Sequence, residues 1–215
     1  MKSLTKPLVL ACSMFATLSC GGTGKENTES SSDSASNAQQ GKTLIVFFSH
    51  AGENYSVGNI KVGNTKIVAD QIKELTGADQ FEIVCVKDYN MSYSALCDLA
   101  KKEQQNGELP DFKGKVENID QYSTIFIGGP VWWGTWPQVM FTFFSKYDLS
   151  GKTLIPFTTH EGSGLGNCVN DLKAAYPKAK VLQGFSIYGH DVRSASGKAK
   201  VEKWVKGIYS SIASM

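Results

Sequence analysis

The chain has 215 residues, of which 41% are hydrophobic, and it carries 22 Lys and Arg against 20 Asp and Glu, a formal net charge of +2. This balance provides no bulk positive charge for nucleic acid, so we expect no nucleic-acid partner. The apolar content is typical of a globular protein.

The first residues predict an export signal. Lys2 and Lys6 form a short basic region, and the apolar run PLVLACSMFATLSC that follows is too short to span a bilayer about 30 Å thick. Small Ser19 before Cys20 resembles the end of a bacterial lipoprotein signal, where cleavage leaves an acylated N-terminal cysteine. We therefore predict a signal peptide over residues 1–19, lipidation of Cys20, and an exported lipoprotein on a membrane of the bacterial cell envelope, at its periplasmic or outer-membrane face. The alternative is a plain secretory signal in which Cys20 has no role.

The rest of the chain divides into a tether and one domain. Residues 20–41 are predicted to form a flexible, lipid-anchored tether, because they contain no large apolar side chain to bury. Residues 42–215 have the length of one domain with a single core. Removing the signal removes two lysines, which leaves a mature chain without net formal charge. The remaining cysteines are Cys85, Cys97 and Cys168. Their odd number, without CxxC spacing, argues against a disulfide framework or a metal site. We interpret Cys85 and Cys97 as core residues and Cys168 as structural.

Five strand-like segments alternate with helical ones along the domain. Three are almost continuously apolar, as in strands covered on both faces, and two interleave polar residues, as in edge strands. The strands are predicted at residues 43–49, 80–86, 123–129, 153–159 and 180–188. Helical stripes are formed by Ile67, Val68, Ile72 and Leu75, by Leu165, Val169, Leu172 and Tyr176, and by Val201, Trp204, Val205, Ile208 and Ile212. This alternation predicts an α/β fold with a doubly wound parallel sheet and a ligand site at the carboxyl ends of its strands. Only Pro156, which lacks an N–H, conflicts with its place in a central strand.

The segment after the first strand, SHAGENYSVGNIKVGNT, predicts a phosphate site. Ser49, Asn64 and Thr65 offer polar side chains, the glycines allow close backbone approach, and a helix N-terminus supplies free N–H groups. No GxxxxGK[ST] pattern follows a strand, so a triphosphate loop is not indicated. Residues 53–63 exceed what such a loop needs, and they are either a wall over the ligand or an inert insertion.

Two further loops follow the apolar strands. GGPVWWGTWP, residues 128–137, places Trp132 and Trp133 side by side, so that one of them is free to stack on a flat ligand, whereas Trp136 is interpreted as structural. TTHEGSGLGN, residues 158–167, offers backbone groups suited to the edge of a polar ring. It matches neither a GxGxxG nor a GxSxG pattern.

These loops together resemble the flavodoxin family. The resemblance rests on FFSHAGEN, GNT, GGPVWWGTWP and PFTTHEGSGLG, and it covers about residues 42–213. It implies a five-stranded sheet of order 2-1-3-4-5 with noncovalently bound FMN. It implies FMN phosphate contacts from Ser49, His50, Ala51, Asn64 and Thr65. The isoalloxazine ring would lie along Pro130, Val131, Trp132, Trp133 and Gly134, with its opposite edge on Thr159, His160, Glu161, Gly162 and Ser163.

The resemblance leads to three functional hypotheses. The first is an FMN-dependent oxidoreductase of the NAD(P)H or quinone type, working with a redox partner or a small-molecule electron acceptor. His160 is the preferred catalytic residue and His50 the alternative, either as a hydrogen-bond donor to FMN or as a proton source for a substrate. The second is a non-catalytic electron carrier, which the absence of acidic charge disfavours. The third is an envelope lipoprotein that binds another ligand or has lost its flavin. Metal binding is not expected.

Overall fold

A computed structural model describes residues 41–213, and the signal peptide, Cys20 and the tether up to residue 40 lie outside the described residues. The helices are α1 (Asn64–Thr76), α2 (Tyr93–Asn106), α3 (Gln138–Lys146), α4 (Cys168–Ala175) and α5 (Ala195–Ala213). The strands are β1 (Lys42–Phe47), β2 (Gly52–Asn54), β3 (Gly58–Ile60), β4 (Asp79–Glu82), β5 (Val84–Cys85), β6 (Phe112–Lys113), β7 (Tyr122–Pro130), β8 (Thr153–His160), β9 (Lys180–Val181) and β10 (Phe185–Tyr188). No helix within residues 41–213 is long and apolar enough to cross a membrane.

The central sheet is parallel and has the order β4-β1-β7-β8-β10. Counted along the chain, its five principal strands therefore follow the order 2-1-3-4-5, and the predicted doubly wound α/β fold is confirmed. The short strand β9 pairs with the start of β8. Strand order reverses between β1 and β7, and a ligand cleft is expected outside the carboxyl ends at this point.

Alternate residues of the central strands pack into two separate hydrophobic cores, one on each face of the sheet. Leu44 and Val46 of β1 face a core that includes residues of α2, α3 and α4, whereas Ile45 and Phe47 face a core shared with α1 and α5. All four side chains are almost fully buried. Helices cover both faces of the sheet, which explains why β1, β7 and β8 are nearly continuously apolar.

Two predicted strands are divided in the structure. The strand predicted at 80–86 leaves the central sheet after β4, where Ile83 is buried, and its remainder, β5, pairs antiparallel with β6. The strand predicted at 180–188 is divided into β9 and β10.

Pro156 explains the second division. The carbonyls of Leu154 and His160 accept hydrogen bonds from Leu182 and Gly189, so alternate residues of β8 direct their polar groups towards the fifth strand. Pro156 lies in this alternate set and has no N–H to offer there, and the interruption at residues 182–184 lies opposite it. The prediction that β8 is a central strand is right, and the proline interrupts its neighbour instead.

Candidate functional site

A cavity of about 410 Å³ lies at the carboxyl ends of β1, β7 and β8. It is lined by most of the residues predicted for the site: His50, Asn64, Thr65, Pro130, Val131, Trp132, Trp133, Gly134, Thr159, His160, Glu161 and Ser163. Ser49, Ala51 and Gly162 do not line it. The three loops converge because the carboxyl ends of parallel strands share one edge of the sheet.

Ser49 fixes the start of α1. Its Oγ accepts a hydrogen bond of 2.9 Å from the backbone N–H of Lys66, so it caps the helix from a distant position in the chain. The N–H groups of Asn64 and Thr65, at the first two helical positions, have no acceptor within the helix, and both residues line the cavity. The first loop thus offers an anion backbone donors and the positive end of a helix dipole.

Arg193 lies beside this helix start, and the sequence analysis missed it. Its guanidinium donates hydrogen bonds to Oδ1 of Asn64 and, over 2.6 Å, to the carbonyl of Val62. Gly189 makes room for the arrangement, because a Cβ there would lie 2.3 Å from Nδ2 of Asn64 and 2.9 Å from Oε1 of Glu161. The available signal was topological: YGHDVR begins at the last residue of β10, at the carboxyl end of the sheet's last strand, and so reaches the same edge.

Trp132 and Trp133 occupy a tight turn. The backbone N–H and carbonyl groups of Trp132 and Thr135 exchange hydrogen bonds of 2.9 and 3.1 Å, while Trp133 and Gly134 both have positive φ, 49° and 84°. Positive φ is uncommon for a bulky residue, and such strain is concentrated at functional sites. Trp132 packs edge-on against Phe48, with ring centroids 5.4 Å apart.

The two indoles differ in exposure. The Trp133 side chain is 49% exposed, and its Nε1 donates to the carbonyl of Cys97 over 2.9 Å. Trp136 is buried and donates to the carbonyl of Cys168, so its predicted structural role is confirmed. The turn therefore holds one indole partly packed and the other half exposed, with Nζ of Lys101 4.9 Å from the centroid of the Trp133 ring.

The third loop fixes a polar group at the ring edge of the predicted site. Nδ1 of His160 accepts a hydrogen bond of 2.9 Å from the backbone N–H of Gly162, so the proton of the neutral ring lies on Nε2. Burial lowers the pKa of His160, an effect that His190 reinforces and Glu161 opposes. Glu161 is itself held by the Nδ1 of His190, 2.6 Å away. His160 is therefore a neutral N–H donor at pH 7.

One hydrogen bond joins the first and third loops, and His50 adds a buried imidazole nitrogen. The hydroxyls of Thr65 and Thr159 form a buried hydrogen bond of 2.8 Å. His50 lines the cavity, and its Nε2 is buried without a hydrogen-bond partner among the described residues. Buried polar atoms are almost always paired, so an orphaned nitrogen at a cavity wall is a group that a bound ligand can satisfy.

The residues after Gly52 fold as a β-hairpin of β2 and β3. Asn54 and Tyr55 of this hairpin line the cavity, which agrees with the wall interpretation of the long loop and not with an inert insertion. Beside them lie cavity residues that were not expected from the sequence: Tyr93, Leu96, Cys97 and Ala100 of α2. Their spacing along the helix is the signal that could have found them, because residues three and four apart share one face.

The cysteines differ in their surroundings. Cys97 lines the cavity, so its interpretation as a core residue was wrong, because α2 turns this face towards the hairpin. Cys168 is fully buried, and burial raises the pKa of its thiol, in agreement with a structural role. Within residues 41–213 no group of His, Cys, Asp and Glu side chains is arranged to hold a metal ion.

Comparison with known proteins identifies the family. A family model described as flavodoxin matches residues 42–208, nearly all of the domain. The chain belongs to the flavodoxin family. Among curated proteins, none matches it.

Solved structures of other flavodoxin-like proteins agree with this assignment. A candidate flavoprotein from Bacteroides eggerthii is 27% identical, with a TM-score of 0.63 over 79% of this chain and 98% of the other. A candidate flavoprotein from Bacteroides uniformis is also 27% identical, with a TM-score of 0.63 over 78% and 99% of the two chains. A flavoprotein from Lactobacillus acidophilus, solved in complex with FMN, is 23% identical with a TM-score of 0.56 over 76% and 98%, and this likeness concerns the fold.

The strained turn of this flavodoxin-family chain gives a first prediction. Trp133→Gly and Trp133→Ala both remove the indole and its hydrogen bond to Cys97, but alanine keeps the cost of positive φ, which glycine does not have. We expect the glycine variant to have the larger free energy of unfolding, by about 1 kcal/mol, in urea denaturation. Equal stabilities would show that the turn relaxes once the ring is gone.

His50 gives a second prediction, on pH dependence. Burial lowers the pKa of this histidine below its usual value near 6.5, and a hydrogen bond to the backbone of Glu53 only partly opposes the effect. As the pH falls through 6.5, the unfolded chain takes up a proton that the folded chain resists, so stability is full above this pH and decreases below it.

In the flavin-free chain we therefore expect the wild type to lose more stability than His50→Gln between pH 7.5 and pH 5.5. The difference should stay below about 1 kcal/mol, because the ring is partly solvated. Thermal denaturation at the two pH values measures it. Parallel losses in both proteins would contradict a depressed pKa at this site.

Proposed function

We propose that this chain binds FMN noncovalently and acts as an FMN-dependent oxidoreductase. The observation that carries the proposal is the cavity itself, which combines a helix start suited to an anion, an aromatic turn and the unpartnered Nε2 of His50. The membership of the flavodoxin family and the FMN complex of the Lactobacillus acidophilus protein support it. When bound, FMN would supply the electron and hydride exchange.

The described residues fit the parts of this cofactor. The N–H groups of Asn64 and Thr65 and the side chain of Asn64 would hold the phosphate, while Ser49 acts indirectly by capping α1. Arg193 would contribute positive charge and fix the orientation of Asn64. A phosphate monoester needs such charge-assisted donors, each of which contributes about 1.5–3 kcal/mol.

The ring end has matching groups. Pro130 to Gly134 offer an apolar and aromatic surface, with Trp132 and Trp133 as its large side chains. We propose that His160, as a neutral imidazole with its proton on Nε2, donates to the ring edge or to a reacting group beside it. His50 offers a second imidazole nitrogen at the same cavity. Ala51 and Gly162, which do not line the cavity, would shape their loops without touching the ligand.

The decisive experiment is titration of the purified full chain with FMN and with riboflavin. We expect a yellow protein with one FMN per chain, and calorimetry should show tighter binding of FMN than of riboflavin. Trp132→Ala combined with Trp133→Ala should weaken FMN by about 1–3 kcal/mol. The absence of heat on adding FMN to the flavin-free chain would refute the proposal.

The location of the protein is a separate proposal. From the basic and apolar start and from Ser19-Cys20, we propose that Cys20 is acylated and that the domain is tethered to a membrane of the bacterial cell envelope. We expect the wild type in the membrane fraction, whereas Cys20→Ser should be released or remain unprocessed. The same soluble fractionation of both proteins would count against the anchor.

A further inference from the structure

One side of the cavity is built by residues outside the three loops expected around a flavin. The hairpin of β2 and β3 contributes Asn54 and Tyr55, and one face of α2 contributes Tyr93, Leu96, Cys97 and Ala100. We call these six residues the outer wall. The flavodoxin resemblance assigns FMN contacts only to residues of the three loops, so it assigns no ligand to the outer wall.

Direct contacts fix the outer wall in place. Oε2 of Glu53, in the hairpin, accepts a hydrogen bond of 2.8 Å from the backbone N–H of Tyr93 at the start of α2. The rings of Tyr55 and Tyr93 stack with centroids 5.8 Å apart and planes 28° from parallel. Hairpin and helix thus hold each other, although they are distant in the sequence.

Trp133 joins the same surface from the other side. In addition to the bond from its indole to the carbonyl of Cys97, its own carbonyl accepts a hydrogen bond of 3.2 Å from the Gln104 side chain. The strained turn is therefore attached to α2 at two points. The aromatic turn, the helix and the hairpin form one continuous surface around the mouth of the cavity.

The chemistry of this surface selects a class of ligand. The six outer-wall residues include no Asp, Glu, His, Lys or Arg, and Tyr55, Tyr93 and Trp133 keep 59%, 40% and 49% of their surface exposed. A charged group, Nζ of Lys101, lies over the Trp133 ring, 4.9 Å from its centroid. Exposed aromatic faces bind flat apolar rings by stacking. Contact with the Cys97 thiol and burial raise the pKa of Tyr93 to about 12, so its phenol stays protonated and can donate to a carbonyl oxygen.

We propose that the outer wall is a binding subsite for a flat, uncharged two-ring aromatic with carbonyl oxygens, of the naphthoquinone class. Stacking on Tyr55 and Tyr93 would hold the rings, and the Tyr93 hydroxyl would contact a carbonyl. The role of this ligand as an electron acceptor rests on the proposed FMN-dependent function, whereas its binding rests on the outer wall alone.

The test uses 2,3-dimethyl-1,4-naphthoquinone, whose blocked ring positions prevent addition to the Cys97 thiol. Equilibrium dialysis against the FMN-loaded full chain, in air, measures its binding without redox turnover. We expect one naphthoquinone per chain bound together with FMN, and at least tenfold weaker naphthoquinone binding in the Tyr55→Ala, Tyr93→Ala double variant. The affinity for FMN should change less than threefold.

Two controls separate the contributions. Tyr209→Ala removes a tyrosine of α5 that is about as exposed as Tyr93 and does not line the cavity, and it should leave naphthoquinone binding unchanged. Tyr93→Phe keeps the ring and removes the hydroxyl. Its affinity for the naphthoquinone should therefore lie between that of the wild type and that of a Tyr93→Ala single variant. Thermal denaturation of each variant checks that the fold is retained.

The outcomes distinguish this proposal from the proposed function. Undiminished naphthoquinone binding by the double variant, absence of binding by the wild type, or displacement of naphthoquinone by FMN would each overturn the subsite. A tenfold loss of FMN affinity in the double variant would assign the outer wall to the flavin and overturn it as well. If the wild type binds no FMN, the proposed function fails, and the subsite is then judged by tyrosine-dependent binding of naphthoquinone to the flavin-free chain.

Discussion

Gly128→Ala is expected to lower the free energy of unfolding by about 3 kcal/mol, a large part of the stability of an ordinary domain. A Cβ at this position in β7 would lie 2.0 Å from Cζ of Phe157, far inside van der Waals contact. Gly128 is paired with Phe157 in the register of β7 and β8, and Phe157 is fully buried among other core side chains. Neither strand can withdraw without losing its pairing at the centre of the sheet.

Two matched variants test this explanation of the Gly128 effect by urea denaturation. Phe157→Leu removes the ring atoms that meet the new methyl, so it should restore part of the stability lost in Gly128→Ala. Gly129→Ala, one residue on, brings its Cβ only to 3.1 Å from Trp136 and should cost clearly less. A Gly129→Ala loss as large as that of Gly128→Ala would show that a general strand effect, and not the aromatic contact, is responsible.

The sheet was predictable because each central strand carries its own signal. β1, β7 and β8 are apolar on both faces, and this local pattern is enough to place them inside a helix-covered parallel sheet. The divided strands were not predictable in the same way. β5 leaves the central sheet and pairs with β6, which lies more than 25 residues later in the sequence, and no local pattern predicts that pairing. The interruption opposite Pro156 depends on which way alternate carbonyls of β8 point, a property of the assembled sheet.

The residues of the candidate site also fall into two groups, those marked by their local sequence and those that only the assembled fold brings to the cavity. His50, Asn64, Trp132 and Thr159 belong to loops whose composition is unusual in itself, and all of them line the cavity. Arg193 was missed because its contact with Asn64 spans most of the domain and a single exposed arginine has no local pattern.

The face of α2 that lines the cavity was missed for a different reason. Its stripe of Tyr93, Leu96, Cys97 and Ala100 looks like an ordinary core face until the hairpin is in place. The positive φ of Trp133 was equally hidden, because it follows from the turn closed by Thr135 and not from the tryptophan pair.

Asn64→Asp is expected to weaken FMN at least 30-fold while leaving riboflavin within about twofold. The substitution is isosteric and retains the hydrogen bond from Arg193 to Oδ1, so the geometry of the helix start should persist. It places a negative charge where the proposed function puts the phosphate. At about 4 Å, like charges near a protein surface repel by up to about 4 kcal/mol, and riboflavin lacks the phosphate that would be repelled.

The same Asn64→Asp variant should not be destabilised without ligand. A carboxylate at the first position of α1 interacts favourably with the helix dipole and with Arg193, and these interactions oppose the repulsion from the nearby Glu161 carboxylate, so the flavin-free chain should stay close to the wild type in stability. Flavin fluorescence titrations at 50 and 500 mM salt measure the affinities. The loss of FMN affinity caused by Asn64→Asp should be smaller at 500 mM salt, because screening weakens the repulsion between the carboxylate and the phosphate. Lys206→Ala, on α5 and paired with Glu202, is the control for a general change in charge. Equal weakening of FMN and riboflavin by Asn64→Asp would place the phosphate away from the start of α1, and the ring end of the cavity would then have to supply the selectivity.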